Sequence, residues 1–216
     1  MCIISYLFSA TYLGYIISDK GISLSLEKIR AVQAWKPPAP TATSAVKWAQ
    51  EFFGFGNFNW RFIEGFSKIM KPLTDLTKKD QRYEWTPACE QAFGTLKSRF
   101  CEAPILVHFL SGRLTVIESD ASDYALGAVM SEECEDGRLH PVAFHSRKFQ
   151  PAEINYDIHD KEMLARVAVL KEWEHMLKSC QEEFTVFTDH KNLEYFASTK
   201  VLSRRQARWA EFLSEF

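Results

Sequence analysis

Residues 114–130, LTVIESDASDYALGAVM, contain two short apolar runs separated by polar and small residues. The first run is rich in β-branched residues and ends at Asp120, and the second begins directly after Tyr124. This pattern predicts two strands of a hairpin, with Asp120 at the carboxyl end of the first strand. Because Ala121 and Ser122 are small, we expect the Asp120 carboxylate to have room for a ligand at the sheet edge.

Two later acidic residues, Glu162 and Asp189, are also predicted to lie near the ends of secondary-structure elements. Glu162 lies in the first turns of a segment with helical apolar periodicity, and Asp189 ends the short strand FTVFTD at residues 184–189. Carboxylates at two strand ends and on a covering helix can converge on hard cations such as magnesium. Each acid also has a structural alternative. Asp120 could form an Asx turn, Glu162 could favour the helix dipole, and Asp189 could cap the next helix.

Four blocks of the sequence resemble the ribonuclease H domain of gypsy-type LTR retrotransposon polyproteins, in the expected order and close to the expected spacing. The blocks are SDASDYALGAVMS (119–131), HPVAFHSRKFQPAEINYDIHDKEMLA (140–165), FTDHKNLEYF (187–196) and SRRQARWAEFL (203–213). The resemblance implies an α/β fold, in which a small helical thumb-like region precedes a ribonuclease H-like mixed five-stranded sheet with flanking helices. In this chain the last strand and helix are expected to be missing.

The resemblance also implies a reaction, the hydrolysis of the RNA strand of RNA:DNA hybrids by two-metal catalysis. It assigns Asp120, Glu162 and Asp189 as catalytic residues and as ligands of two magnesium ions, for which manganese can substitute. The family's fourth metal-binding acid is not matched before Phe216, so we expect weak cleavage. The alternative is a non-catalytic, domesticated or degenerate remnant that acts as a nucleic-acid or protein binding module.

The implied partner is an RNA:DNA hybrid, which a protein can distinguish by the 2′-hydroxyls of one strand. The residues predicted to contact the nucleic-acid backbone are Arg147, Lys148, Lys191, Arg204, Arg205 and Arg208. For each of them, a solvated surface charge with no nucleic-acid contact is an equal alternative. The rest of a reverse transcriptase is a further expected partner, and an uncovered edge of the strand at residues 184–188 is expected to permit self-association.

The chain divides by resemblance into three parts: a remnant of the palm hairpin at 1–24, a helical thumb-like or connection region at 25–101, and an incomplete ribonuclease H-like domain at 102–216. The sequence of residues 11–23, TYLGYIISDKGIS, predicts a strand pair. Residues 1–18 are the most apolar segment, and a membrane span is the less favoured alternative because the segment is short and carries hydroxyl groups. No Tyr-x-Asp-Asp occurs in the sequence, so no polymerase active site is predicted.

In the helical region, apolar spacing predicts a helix over 25–35 capped by Ser25, a helix over 44–53, a turn at 54–57 and a further helical segment over 58–66. Two later helices are expected, the second capped by Thr86. The phenylalanines between Phe52 and Phe66 are interpreted as core. Gln50 and Trp60 occupy positions where the family usually has Arg, so two cations that could meet phosphates are absent.

The composition is that of a folded intracellular protein. Of 216 residues, 46% are hydrophobic and 14% aromatic, which is enough to form a core. The net charge of −2 gives no general support for nucleic-acid binding, so that function must rest on local patches. The five cysteines are scattered and indicate a reducing compartment, cytoplasmic or nuclear. Asp123, Asp157 and Asp160 are assigned to caps and turns, and the histidines to surface or packing positions.

Overall fold

The computed structural model describes residues 9–38, 42–78, 84–187 and 202–216, with the backbone alone at 42–46. The described residues form a three-stranded sheet, a set of helices and a four-stranded mixed sheet covered by further helices. The predicted mixed α/β fold class is therefore confirmed. The division of the chain at residues 24 and 101 stays a prediction. Within the described ranges, no helix is both long and apolar enough to span a bilayer.

The first sheet is antiparallel and consists of β1 (Ser9–Tyr12), β2 (Tyr15–Ser18) and β3 (Gly21–Leu24). Leu13 and Gly14 connect β1 to β2 with φ angles of 49° and 76°, as a tight hairpin requires. The predicted strand pair is confirmed, and a third strand extends it. Ile22 of β3 exchanges two backbone hydrogen bonds of 2.8 Å with Leu106, which ties this sheet to the chain that leads into the second sheet.

Four α-helices follow, with a 3₁₀ turn at Trp60–Phe62 between the second and the third. They are α1 (Leu26–Ala34), α2 (Ala42–Asn59), α3 (Phe66–Asp75) and α4 (Pro87–Cys101). The predicted caps are confirmed, because the side chain of Ser25 accepts from the backbone of Lys28 and that of Thr86 from the backbone of Cys89. Both side chains satisfy backbone donors that have no partner within the helix.

Helix α2 contradicts the predicted turn at residues 54–57. It continues through Gly54 and Gly56, neither of which has a positive φ, so the helix predicted over 44–53 extends to Asn59. Most of the segment predicted over 58–66 is instead the 3₁₀ turn and the bend that precede α3. A glycine inside a helix costs about 1 kcal/mol relative to alanine. Packing offsets this cost at Gly56, where a Cβ atom would come within 2.9 Å of the Phe66 ring. The chain turns instead at Gly65, which has a φ of 61°.

The helices enclose an aromatic core, as predicted for the phenylalanines of this region. Trp48 stacks on Phe52 at 5.3 Å between ring centroids, and Phe52 meets Phe93 edge-on at 5.1 Å. Phe62 and Phe66 are buried in the same cluster. Phe58 is the exception, because it is 52% exposed and stacks on Tyr15 of β2 at 5.6 Å.

The second sheet has the strand order β6-β5-β4-β7, with β7 parallel to β4 and the other pairs antiparallel. Its strands are β4 (Thr115–Ala121), β5 (Ala125–Glu133), β6 (Leu139–Lys148) and β7 (Thr185–Phe187). The predicted hairpin around Asp120 is confirmed as β4 and β5. A turn at Asp136 and Gly137 joins β5 to β6, and Gly137 has the positive φ of 69° that such a turn needs.

Helices cover both faces of this sheet. The later helices are α5 (Pro151–Ile154), α6 (Ile158–Glu172), α7 (Glu174–Leu177) and α8 (Arg204–Leu213). The apolar stripe of α6 lies on one face, where Val169 and Leu170 pack with Ile117 of β4. On the other face lies α3, where the backbone N–H of Ser67 donates to Oγ of Ser146 at 3.0 Å. The sheet is therefore held between α6 and the helical region.

Candidate active site

Asp120 is the second-last residue of β4 and lies opposite Gly127 of β5, so its predicted position at a strand end is confirmed. Burial alternates along this strand: Ser119 and Ala121 are buried, whereas Glu118 and Asp120 are exposed. Side chains of a strand point alternately to its two faces. Since Ala121 packs in the cluster that contains α6, Asp120 lies on the opposite face, which is the face that α3 partly covers.

An open cavity of about 230 Å³ lies against Asp120. The sheet contributes Glu118, Asp120, Gly127 and, on the edge strand, Phe187 to its lining, and the segment before α3 contributes Glu64 and Gly65. The sequence did not predict that the helical region reaches this cavity. One signal was present, because a glycine inside a strand pattern often marks a close approach of another backbone. A Cβ atom on Gly127 would lie 3.9 Å from Cα of Gly65.

The turn that follows Asp120 is held from both sides of the sheet. Nζ of Lys161, on α6, donates to the carbonyl of Asp123 at 3.3 Å. The hydroxyl of Tyr124 donates to the carbonyl of Lys68, on α3, at 3.4 Å. Phe149 fixes the same turn through its backbone N–H, which donates to the carbonyl of Tyr124 at 2.8 Å. The strand end that carries Asp120 is therefore positioned by both helices.

Glu162 lies one turn into α6, which begins after the N-cap Asp157, as predicted. Glu162 is buried, with only 2% of its surface exposed to solvent. Arg166 follows four residues later on the same helix, at the spacing at which side chains interact. Burial lowers the pKa of the Arg166 guanidinium, and the negative charge of Glu162 opposes that shift.

Asp189 and Lys191 lie outside the described residues. The convergence of Asp120, Glu162 and Asp189 therefore stays a prediction, as does their role as metal ligands. Among the residues that the structure does describe, no three His, Cys, Asp or Glu side chains are arranged to hold a metal ion. Of the two acids that the structure describes, Asp120 lies on the face of the sheet turned toward α3, and Glu162 is buried on α6, which covers the other face.

Five of the predicted nucleic-acid contacts lie within the described residues: two are arginines bound to carboxylates, and three are exposed cations. Arg147 forms two hydrogen bonds with the Glu153 carboxylate, at 2.7 and 3.1 Å. Arg205 pairs with Asp160 and lies over the Tyr156 ring, with its guanidinium carbon 3.7 Å from the centroid. Lys148, Arg204 and Arg208 remain exposed. Lys148 donates to Oγ1 of Thr74 at 2.7 Å, a contact between the sheet and α3.

Asp160 contradicts its predicted assignment to a cap or turn. It is buried and accepts hydrogen bonds from Arg205 and from Nε2 of Gln206, the latter at 3.0 Å. Both partners lie on α8, more than 40 residues away in the sequence, so no local pattern indicated the contact. Asp157, by contrast, caps α6 as predicted, through a hydrogen bond of 2.8 Å from the backbone of Asp160.

Comparison with protein families matches residues 111–216 to the RNase H-like domain found in reverse transcriptase. Over 207 residues, or 95% of the chain, the sequence is 39% identical to the transposon Tf2-3 and Tf2-4 polyproteins of Schizosaccharomyces pombe. The chain spans about 15% of the length of these curated relatives.

Among solved structures, the fold is similar to that of the foamy viral protease-reverse transcriptase. The complex of that protein with dsDNA matches with a TM-score of 0.70 and 23% identity, over 95% of this chain and 43% of that one. Its complex with an RNA/DNA hybrid matches with a TM-score of 0.68 and 22% identity, over 95% of this chain and 28% of that one. At this level of identity, the likeness shows the fold.

Proposed function

Residues 111–216 belong to the family of RNase H-like domains found in reverse transcriptase, in a chain similar to gypsy-type retrotransposon polyproteins, and on this premise we propose that the chain hydrolyses the RNA strand of RNA:DNA hybrids. The observation that carries the proposal is the position of Asp120. Its exposed carboxylate lines an open cavity at the end of β4, on a turn fixed by α3 and α6. Such a carboxylate can meet a ligand without a rearrangement of the sheet.

We propose magnesium as the cofactor, held by Asp120, Glu162 and Asp189. The donor type fits, because carboxylate oxygens are the ligands that magnesium prefers and the ion keeps several waters, for which the 230 Å³ beside Asp120 leaves room. Asp120 and Glu162 come from opposite faces of the sheet, so an ion could bind both only at the strand end. When two ions are bound, they activate a water and stabilise the leaving oxygen, and manganese can substitute for them. The chain's own contribution is placement. Lys161 and Tyr124 hold the Asp120 turn, and the same helix that carries Lys161 carries Glu162.

The proposed partner is an RNA:DNA hybrid. Complexes of the structurally similar foamy viral protein with dsDNA and with an RNA/DNA hybrid support a nucleic-acid partner. Of the predicted backbone contacts, Arg147 and Arg205 are engaged by carboxylates, so we assign the described contacts to Lys148, Arg204 and Arg208. Because the chain spans a small part of its curated relatives, we also propose that it works with the remainder of a reverse transcriptase.

A non-catalytic binding module is the second candidate, and Glu162 is the residue that favours it. Its surface is almost entirely buried, and its charge acts on the Arg166 guanidinium one turn away. A carboxylate in that environment can serve the packing of α6 alone. The nuclease and the binding module differ in whether a phosphodiester bond of the RNA strand is broken.

The test is a hybrid-cleavage assay on wild type, Asp120→Asn and Glu133→Gln, with magnesium and then with manganese. Asp120→Asn keeps the shape of the side chain but removes its charge. Ion-dependent stabilisation is worth several kcal/mol, so we expect a loss of about a thousandfold or more. Glu133→Gln is the control, because Glu133 is an exposed acid at the far end of β5 and does not line the cavity, so it should cleave at close to the wild-type rate. Equal rates for wild type and Asp120→Asn, or no cleavage by any variant with either metal, would support the binding module.

A further inference from the structure

Three lysines surround a single carboxylate at the junction of α3 and β6. Nζ of Lys71 lies 3.2 Å from Oδ2 of Asp75, and Nζ of Lys78 lies 2.7 Å from Oδ1 of the same residue. Lys148 reaches the group from β6, where its Nζ donates to Oγ1 of Thr74 at 2.7 Å. We call Lys71, Lys78, Lys148 and Asp75 the lysine cluster.

The lysine cluster carries unneutralised positive charge. Lys71 and Lys78 occupy the two oxygens of Asp75, whereas Lys148 donates to a neutral hydroxyl. Three ammonium groups and one carboxylate leave an excess of two positive charges. Burial lowers the pKa of Lys148. The Asp75 charge opposes this shift, and the charges of Lys78 and Lys71 reinforce it. An anion placed between these ammonium groups would relieve their repulsion.

The cluster lies on the same face of the sheet as Asp120. Asp120 is opposite Gly127, Gly127 is opposite Ser146, and Lys148 is two residues beyond Ser146 on β6. Strands are about 4.8 Å apart and rise about 3.4 Å per residue, so the Cα atoms of Asp120 and Lys148 are separated by roughly 12 Å. A nucleic-acid strand seated at Asp120 could therefore continue across the cluster with its phosphates facing the lysines.

We propose that Lys71, Lys78 and Lys148 form a site for the phosphodiester backbone of the nucleic acid, shared between the helical region and the sheet. The inference rests on the proposed function for the identity of the duplex, but it requires no hydrolysis. Contacts of this kind fix the position of a duplex and carry no base preference. Exposed pairs such as Lys71–Asp75 contribute little to stability, and the third lysine, Lys148, comes from β6 rather than from α3, so helix stabilisation does not account for the group.

The experiment measures hybrid binding against salt concentration by fluorescence anisotropy, with EDTA present so that no cleavage occurs. Removal of one phosphate contact should reduce the slope of log affinity against log salt by about 0.9. We expect this change for Lys148→Gln, with weaker binding to hybrids of unrelated sequence and to a DNA duplex alike. Lys47→Gln is the matched control, because the Lys47 side chain is 79% exposed and pairs with Glu51 at 3.9 Å on α2. It should leave the slope unchanged.

Asp75→Asn gives a second test of opposite sign. It removes the one negative charge of the cluster, so it should tighten binding and steepen the salt dependence, a result that loss of a structural contact would not produce. The inference is overturned if Lys148→Gln behaves like Lys47→Gln, or if Asp75→Asn binds no more tightly than wild type. Hybrid cleavage by the same variants in magnesium separates the two proposals. Cleavage that needs Asp120, with slopes unaffected by Lys148→Gln, would refute this inference and leave the proposed function standing.

Discussion

The two faces of the four-stranded sheet are built for different purposes. Against α6, the residues Ile117, Ala128 and Met130 are buried in a continuous apolar layer. Against α3, only part of the sheet is covered, through Val129 and Phe144, and the rest carries exposed acids and an open cavity. One face therefore stabilises the domain, and the other leaves a carboxylate accessible beside a rigid scaffold.

Strand β4 joins these two roles in seven residues, TVIESDA. Because its side chains alternate between faces, Ile117 and Ala121 support the core while Glu118 and Asp120 stay exposed. The effect of a substitution should then depend on which face the residue occupies rather than on its distance along the chain.

The largest effect is expected on the α6 face. Ile117→Ala removes a fully buried side chain that packs against Val169 and Leu170, and it should lower the free energy of unfolding by about 3 kcal/mol. Leu114→Ala is the control, since Leu114 is 43% exposed just before the same strand, and it should change stability by less than about 0.5 kcal/mol. Urea unfolding measures both. Similar losses in the two variants would show that the α6 face is not the principal core.

A smaller contrast is expected between neighbours on β5. Ala128→Leu adds volume to the closed α6 face and should cost about 1–3 kcal/mol through overpacking. Gly127→Ala adds a methyl group on the α3 face, where it would meet Cα of Gly65 at 3.9 Å, an ordinary contact, so it should be tolerated. Thermal unfolding of the two variants checks this order. The reverse order would mean that the cavity beside Asp120 closes in solution.

The smallest effect concerns His145, which lies where the two faces meet. Its ring is 5.6 Å from Trp60 and 6.3 Å from Trp173, and neither ring nitrogen has a hydrogen-bond partner among the described residues. Burial lowers the pKa of His145, and Glu172 opposes the shift. The unfolded chain therefore binds the proton more readily, so stability is highest above the unfolded pKa of about 6.5 and is lost as the pH falls below it.

Wild type and His145→Gln, unfolded in urea between pH 7.5 and pH 5.5, provide the measurement for this prediction. Arg61 and Arg147 also lie near the ring and keep their charge across that range, so they contribute equally in both proteins. Wild type should lose more stability on acidification than the variant. Parallel pH profiles would show that His145 is not desolvated at this junction.

Local signals in the sequence predicted much of this architecture. Strand alternation located the hairpin that places Asp120 at a strand end, and apolar periodicity identified the face of α6 that lies on the sheet. Side-chain caps were predictable for the same reason, because Ser25, Thr86 and Asp157 act on backbone groups three residues away. These features depend on neighbours in the sequence.

The remaining features depend on residues that are distant in the sequence. Helix α2 passes through Gly56 because the Phe66 ring packs there, although glycine ordinarily indicates a turn. Asp160 binds α8 rather than serving as a cap, and Glu64 lines the cavity beside Asp120. Each of these contacts forms only when separate elements pack together in the tertiary structure, and the periodicity of a single sequence does not predict which elements meet.

The most direct test of the separation between the two faces measures both properties in one pair of variants. Unfolding free energy and hybrid cleavage are determined for Ile117→Ala and Asp120→Asn at a temperature where both are folded. Ile117→Ala should lose about 3 kcal/mol of stability yet retain cleavage, whereas Asp120→Asn should keep its stability within about 0.5 kcal/mol and lose cleavage. Cleavage by Asp120→Asn at the wild-type rate, or a loss of stability equal to that of Ile117→Ala, would contradict the account.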